Sequence, residues 1–167
     1  MFNLAIFRIL EKEGFTFRDI GKSFYEFCDK YNKFRKAGME KRGKDPSQYP
    51  FETEYKNYAK VLAETSQKRI YPYDWVLDYV EGDGSSFDWG FNFHECGVQK
   101  VFKELGDEKY VPFLCLSDFS EANILGFGFS RTQTLSNGAP MCDHRWVKNF
   151  KTPRAWPPDN LPEFKKE

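Results

Sequence analysis

Histidine is scarce in this 167-residue chain, with two copies, and its four cysteines form no Cys-x-x-Cys pair. That spacing excludes a compact zinc module and a thioredoxin-type redox motif. Cys28, Cys96, Cys115 and Cys142 instead read as reduced thiols of a cytoplasmic protein. Charge of one sign is also missing. The 25 Lys and Arg balance the 25 Asp and Glu, so no global field draws nucleic acid or an anionic membrane. Long hydrophobic runs are absent too. The apolar opening MFNLAIFRILEKEG is broken by Arg8 and the charges after it, and it has neither the basic start nor the cleavage site of a signal peptide. No repeat or low-complexity tract is present. The expectation is one domain with a small-molecule partner, no nucleic acid and no membrane, its oligomeric state left open.

Aromatic residues are abundant: 18 Phe and 9 Tyr, in a chain of mean hydropathy −0.69, imply a core or pocket built from rings. The stretch TFRDIGKSFYEFCDKYNKFRK opens with Thr16-x-x-Asp19, the pattern of a capping box. It then spaces Phe17, Ile20, Phe24, Phe27, Cys28 and Tyr31 as one face of a helix. The charged segment around Lys41 to Lys44 reads as a solvated connection. A second helix follows, with Phe51, Tyr55, Tyr58 and Leu62 on one face.

From residue 73 the period changes. YDWVLDYV and FDWGFNFHE alternate around EGDG as an antiparallel hairpin does, with Trp75, Leu77 and Tyr79 facing one way and Asp74, Val76 and Asp78 the other. CGVQKVFKELG returns to helical spacing, with Gly106 as its stop. VPFLCLSDFSEANILG starts another helix at Pro112. A second hairpin is expected from FGFSRTQTL, Asn137-Gly138 and MCDHRWV. The predicted fold is α+β: N-terminal helices on a four-stranded, mainly antiparallel sheet of two hairpins, with helices inserted between them. Residues 1–150 form a single domain in this reading. Residues 151–167 form an extended, proline-rich tail running over the surface and held by Trp156.

Chemistry concentrates in the second half of the chain. Cys96 stands near the first turn of a helix, where the macrodipole and unpaired N–H groups favour thiolate, and His94 two residues earlier can address the same side. Cys115 and Asp118 lie three residues apart and share a helical face. In MCDHRW, Cys142 and His144 share one strand face and Asp143 and Arg145 the other; Arg131 and Gln133 alternate with Thr132 and Thr134. Each has a bland alternative: a buried free cysteine, a hydrogen-bonded histidine, or a structural Asp–Arg pair.

The order FNFHEC, KELG, CLSD, RTQTLSNGAPMCDHRW, spanning roughly residues 88 to 146, resembles the L-2-amino-thiazoline-4-carboxylic acid hydrolase family. The residues that carry the resemblance are Cys96, Cys115, Asp118, Arg131, Thr132, Thr134, Leu135, Gly138, Cys142 and Asp143. The chain departs from the family pattern at Leu116-Ser117, and at His144, where an aromatic residue is common. The final hairpin also resembles, over a shorter stretch, the 4-vinyl-reductase type of ligand-binding domain, which again implies an α+β fold.

The family resemblance implies hydrolysis of a carbon–nitrogen bond in a small cyclic amidine or amide, with 2-amino-thiazoline-4-carboxylate opening to N-carbamoyl-cysteine. Cys96, Asp118, His94 and Cys115 are then the catalytic candidates, and Arg131, Thr132, Gln133, Cys142 and Asp143 the substrate-binding ones. Two routes stay open. Cys96 attacks the amidine carbon while His94 or Asp118 moves protons, or Asp118 activates water and the cysteines shape the pocket. Arg131 is the expected partner of a substrate carboxylate, and Thr132, Gln133 or backbone N–H groups the oxyanion donors. No cofactor is expected; zinc, held by Cys96, Cys115, Cys142, His94, His144 or Asp118, is the lesser alternative. The rival function is a non-catalytic ligand-binding or sensor domain.

Overall fold

The computed structural model describes residues 2–161 and has the expected α+β architecture. Helices α1 (Phe2–Lys12), α2 (Phe17–Lys41) and α3 (Thr53–Ser66) precede strands β1 (Val76–Glu81) and β2 (Trp89–Glu95). Helices α4 (Gly97–Glu104), α5 (Val111–Cys115) and α6 (Ser117–Leu125) follow, then β3 (Phe129–Ser130) and β4 (Cys142–Trp146). The strands form one antiparallel sheet in the order β1-β2-β4-β3. Among the described residues no helix is long and apolar enough to cross a membrane.

The sheet presents its rings to the helices. Trp89 and Trp146 face each other across β2 and β4 with ring centroids 4.0 Å apart and stacked. Phe91, Phe129 and Leu77 join them against Tyr25, Phe119 and Leu125. Trp89 also donates its indole N–H to Pro50 O at 2.8 Å, so the deepest ring leaves no polar atom unpaired.

Helix α2 begins at the capping box read from Thr16 and Asp19, but its buried face is Gly21, Tyr25, Cys28 and Asn32, joined by Ile20. Phe17, Phe27 and Tyr31, which the spacing placed inward, are exposed. Packing against α6 turns the helix. Asn32 donates to Ser120, Ser120 donates to Asp29, and Arg35 reaches Glu121 at 2.8 Å, a polar seam that hydrophobic spacing does not register. Gly21 lets the ring of Phe113 in, where a Cβ would lie 2.4 Å from it. Helix α3 is rotated for a related reason: Ala59 and Ala63 are buried while Tyr58 and Leu62 are exposed. Small side chains let α3 approach β1, and Ser66 Oγ accepts from Leu77 N at 3.1 Å. The connection at Lys41 to Lys44 is exposed, as read.

The first hairpin carries a register shift at its open end. Val76 stands opposite Glu95 and Leu77 opposite Phe93, so His94 is the extra residue of a bulge. Val76 and Leu77 are both buried, which corrects the strict alternation expected for β1. The second hairpin is shorter and wider than expected. β3 ends at Ser130, and the chain leaves the sheet through a 3₁₀ turn at Leu135–Asn137 before returning at Cys142. Residues 131–134 are therefore loop and not strand. The Asp143 carboxylate holds them there, accepting from Thr132 N at 2.8 Å and Gln133 N at 2.9 Å, which satisfies those donors without a ladder.

The proline-rich tail lacks strand or α-helix as far as Leu161, and Trp156 does hold it, packing near Tyr25 and Phe113. Its course differs from a surface run, because Thr152, Ala155 and Leu161 are buried and Ala155 N donates to Tyr25 Oη. Residues 162–167 of the tail lie outside the described residues.

Candidate functional site

Between the sheet and helices α4 to α6 lies a cavity of about 210 Å³. Strand alternation puts Phe93, Cys142 and His144 on its floor. Trp75 stands at one side, Cys96 and Val98 enter with the start of α4, Val111, Leu114, Cys115 and Asp118 come from α5 and α6, and Arg131 follows β3. Distant segments thus bring Cys96, Cys115, Asp118, Arg131 and Cys142 to one place. Gly97 makes the approach of α4 possible, since a Cβ there would sit 2.1 Å from Tyr73 O.

The polar centre of the cavity is an ion pair. Arg131 Nη1 donates to Asp118 Oδ2 at 2.8 Å, and Nη2 donates to Cys115 O at 2.9 Å. The guanidinium side chain is 1% exposed and the carboxylate 35%. Arg131 is thus a buried cation whose guanidinium is tied to Asp118 and to the end of α5. The face of Phe119 lies 5.1 Å from the guanidinium carbon and adds a cation–π contact.

His144 completes the centre. Its Nε2 lies 3.3 Å from Arg131 Nη1 and 3.8 Å from Asp118 Oδ2. Burial, then the positive charges of Arg131 and Arg145, push its pKa well below the ordinary histidine range, so the ring is neutral near pH 7. Arginine has only donors, so a hydrogen bond at this contact requires the neutral ring with its proton on Nδ1.

Burial works against thiolate at all three cavity cysteines. Cys96 caps the eight-residue helix α4, yet burial pushes its thiol up, with the N–H groups of Gln99 and Val98 pulling only partly the other way. This corrects the expectation that the helix start favours thiolate there. Burial likewise raises Cys115 and Cys142. Cys142 Sγ receives Leu135 N–H at 3.2 Å and lies 3.3 Å from Thr134 Oγ1, while Cys115 donates to Ser136 Oγ at 3.4 Å. These contacts tie the 131–141 loop to the cavity.

The remaining candidates lie elsewhere. His94 does not line the cavity. As the bulge residue it points to the far face of the sheet and meets exposed Asp78 at 2.8 Å. Thr132, Gln133 and Asp143 form the loop clamp, Thr132 Oγ1 donating to Asp143 Oδ2 at 2.5 Å, and are not among the lining residues. Sequence reasoning in turn weighs His144 only as a zinc ligand, and passes over Trp75 as a site residue. The parity of CDHRW, which put His144 beside Cys142, was the signal that finds the first; Trp75 had none. Among the described residues no group of three or more His, Cys, Asp or Glu side chains is arranged to hold a metal ion.

The α+β domain thus closes a small cavity over a carboxylate–guanidinium pair. The chain belongs to the L-2-amino-thiazoline-4-carboxylic acid hydrolase family, whose model matches residues 1–146 and so includes the helical N-terminal part. Comparison with curated proteins and with solved structures finds no match.

Proposed function

We propose that this cavity hydrolyses a small cyclic amidine or amide, with 2-amino-thiazoline-4-carboxylate as the first substrate to test. The observation that carries the reading is the Asp118 carboxylate, held by buried Arg131 and partly open to a cavity lined otherwise by His144, apolar groups and thiols. Such a carboxylate is suited to activate one water beside a bound ring. A cyclic amidine is also basic, and its protonated form complements Asp118.

For the aminothiazoline ring the balance is as follows. Water oxygen bonds to the amidine carbon while Asp118 takes a water proton and passes it to the ring nitrogen, which returns the carboxylate to its charged form. Collapse to the carbonyl then breaks the ring carbon–sulfur bond, and the hydroxyl proton passes to the departing sulfur. N-carbamoyl-cysteine results. The carbon–nitrogen cleavage read from the sequence applies to cyclic amides; this ring opens at sulfur. The raised thiols support the water route over attack by Cys96, since the thiol is a far weaker nucleophile than the thiolate.

The apolar share of the lining, Trp75, Phe93, Val98, Val111 and Leu114, favours the second reading, a ligand-binding domain without turnover. Incubation of the purified protein with 2-amino-thiazoline-4-carboxylate separates the two. A hydrolase releases free thiol and N-carbamoyl-cysteine, whereas a binding domain returns the ring unchanged.

A further inference from the structure

We propose that His144 is a positioning residue of this site: as the neutral Nδ1–H tautomer it accepts from Arg131 and thereby fixes the guanidinium that aims Asp118. The inference rests on the reading of Asp118 as the base. Arg131 Nη1 carries two hydrogens. One goes to Asp118 Oδ2 at 2.8 Å, and His144 Nε2 at 3.3 Å is placed to take the other. With Nη2 bound to Cys115 O, the guanidinium plane is set from α5, α6 and β4 together.

The imidazole is itself held. Phe93 lies 4.7 Å from it by ring centroids and Phe129 5.2 Å, the latter edge-on at 89°. The groups around it are Arg131 from the loop after β3, Asp118 from α6, Arg145 and Cys142 on its own strand, and the Cys96 and Cys115 thiols lining the same cavity. A proton on Nε2 would turn the acceptor into a donor facing Arg131. It would also place a second cation near Asp118 Oδ2 and compete with Arg131 for it. The pair holds its geometry only while the ring is neutral.

The test has two arms. In the first, wild-type protein labelled with ¹⁵N-histidine is examined by long-range ¹H–¹⁵N correlation at pH 7. The two histidine signals are assigned with His94→Gln. The Nδ1–H tautomer is expected for His144; an Nε2–H tautomer or an imidazolium at that pH overturns the proposal.

In the second arm, kcat and KM for 2-amino-thiazoline-4-carboxylate are measured on His144→Gln and His144→Leu, with melting curves to verify folding. Glutamine supplies an acceptor oxygen and keeps kcat within several-fold; leucine lowers it on the order of 100-fold, with a smaller change in KM, as expected for a displaced base. Wild-type kcat in a folded His144→Leu variant overturns the proposal. If wild-type protein turns over no ring at all, the hydrolase reading fails, and the tautomer measurement still decides the lock.

Discussion

Arg131 donates to Asp118 at 2.8 Å from a side chain that is 1% exposed, whereas Asp118 itself is 35% exposed toward the cavity. On the proposed function, this asymmetry makes Arg131 the holder and Asp118 the group that meets a bound molecule. Removing the cation breaks the Arg131–Asp118 ion pair, and removal of one member of a buried pair costs about 3 kcal/mol or more. Arg131→Met is expected to lose that much stability in urea unfolding and most of its turnover. Arg131→Lys, which keeps the charge but not the fork of donors, is expected to fall between Met and wild type.

Acid should weaken the protein through His144. The unfolded chain takes a proton near the ordinary histidine value of 6.5, and the folded ring, with its lowered pKa, refuses it. The unfolded state thus binds more protons below about pH 6.5. The stability present above that value falls as the pH drops toward the folded pKa, by up to about 1.4 kcal/mol per pH unit. Urea unfolding between pH 7.5 and 5 should show a steeper decline for wild type than for His144→Gln. Parallel curves would remove His144 from the account.

Cys28 is predicted to be bystander chemistry. It is 7% exposed, and burial, with Asp29 and Asp118 nearby, pushes its thiol up to about 12. A thiol so placed reacts slowly with disulfide reagents at pH 8 in the native state and quickly once the protein is unfolded. Cys28→Ala should keep wild-type turnover while losing about 1 kcal/mol of stability to the small cavity left in the core. Lost activity in a folded Cys28→Ala protein would contradict its place in the core.

Asp143 should matter through the loop and not through substrate. Its carboxylate accepts from Thr132 N, Gln133 N and Thr132 Oγ1. Asp143→Ala strands those donors at a half-buried site and is expected to cost about 2–3 kcal/mol. The loop it frees carries Arg131 and Thr134, so kcat should drop in step with local order, read as faster amide exchange at residues 132–135. Unchanged exchange with lost turnover would mean that Asp143 acts directly.

Much of this layout was legible in the sequence because the signals were local. The Thr16–Asp19 cap, the alternation of β2, the parity of Cys142 and His144, and the helical stop at Gly106, with φ +71°, depend on neighbours a few residues away. What was illegible depends on partners far along the chain. The rotation of α2 is set by α6 through Asn32, Ser120, Arg35 and Glu121. The position of His94 is set by a bulge that only pairing with β1 reveals. The exchange of a strand for a loop at residues 131–134 depends on one carboxylate about ten residues later. Arg131 is legible as a residue, but its burial and its bond to Asp118 belong to tertiary structure alone.

The most direct test of the account is turnover of 2-amino-thiazoline-4-carboxylate by wild type, Asp118→Asn and Cys96→Ala, followed as free thiol released and as N-carbamoyl-cysteine by mass spectrometry. The asparagine substitution nearly preserves shape but cannot take a proton; the alanine substitution removes the thiol and leaves the base. The account predicts thiol release by wild type, a loss of about 10²- to 10⁴-fold in Asp118→Asn, and rates within several-fold of wild type in Cys96→Ala. Full activity in a folded Asp118→Asn protein, or loss confined to Cys96→Ala, would contradict it.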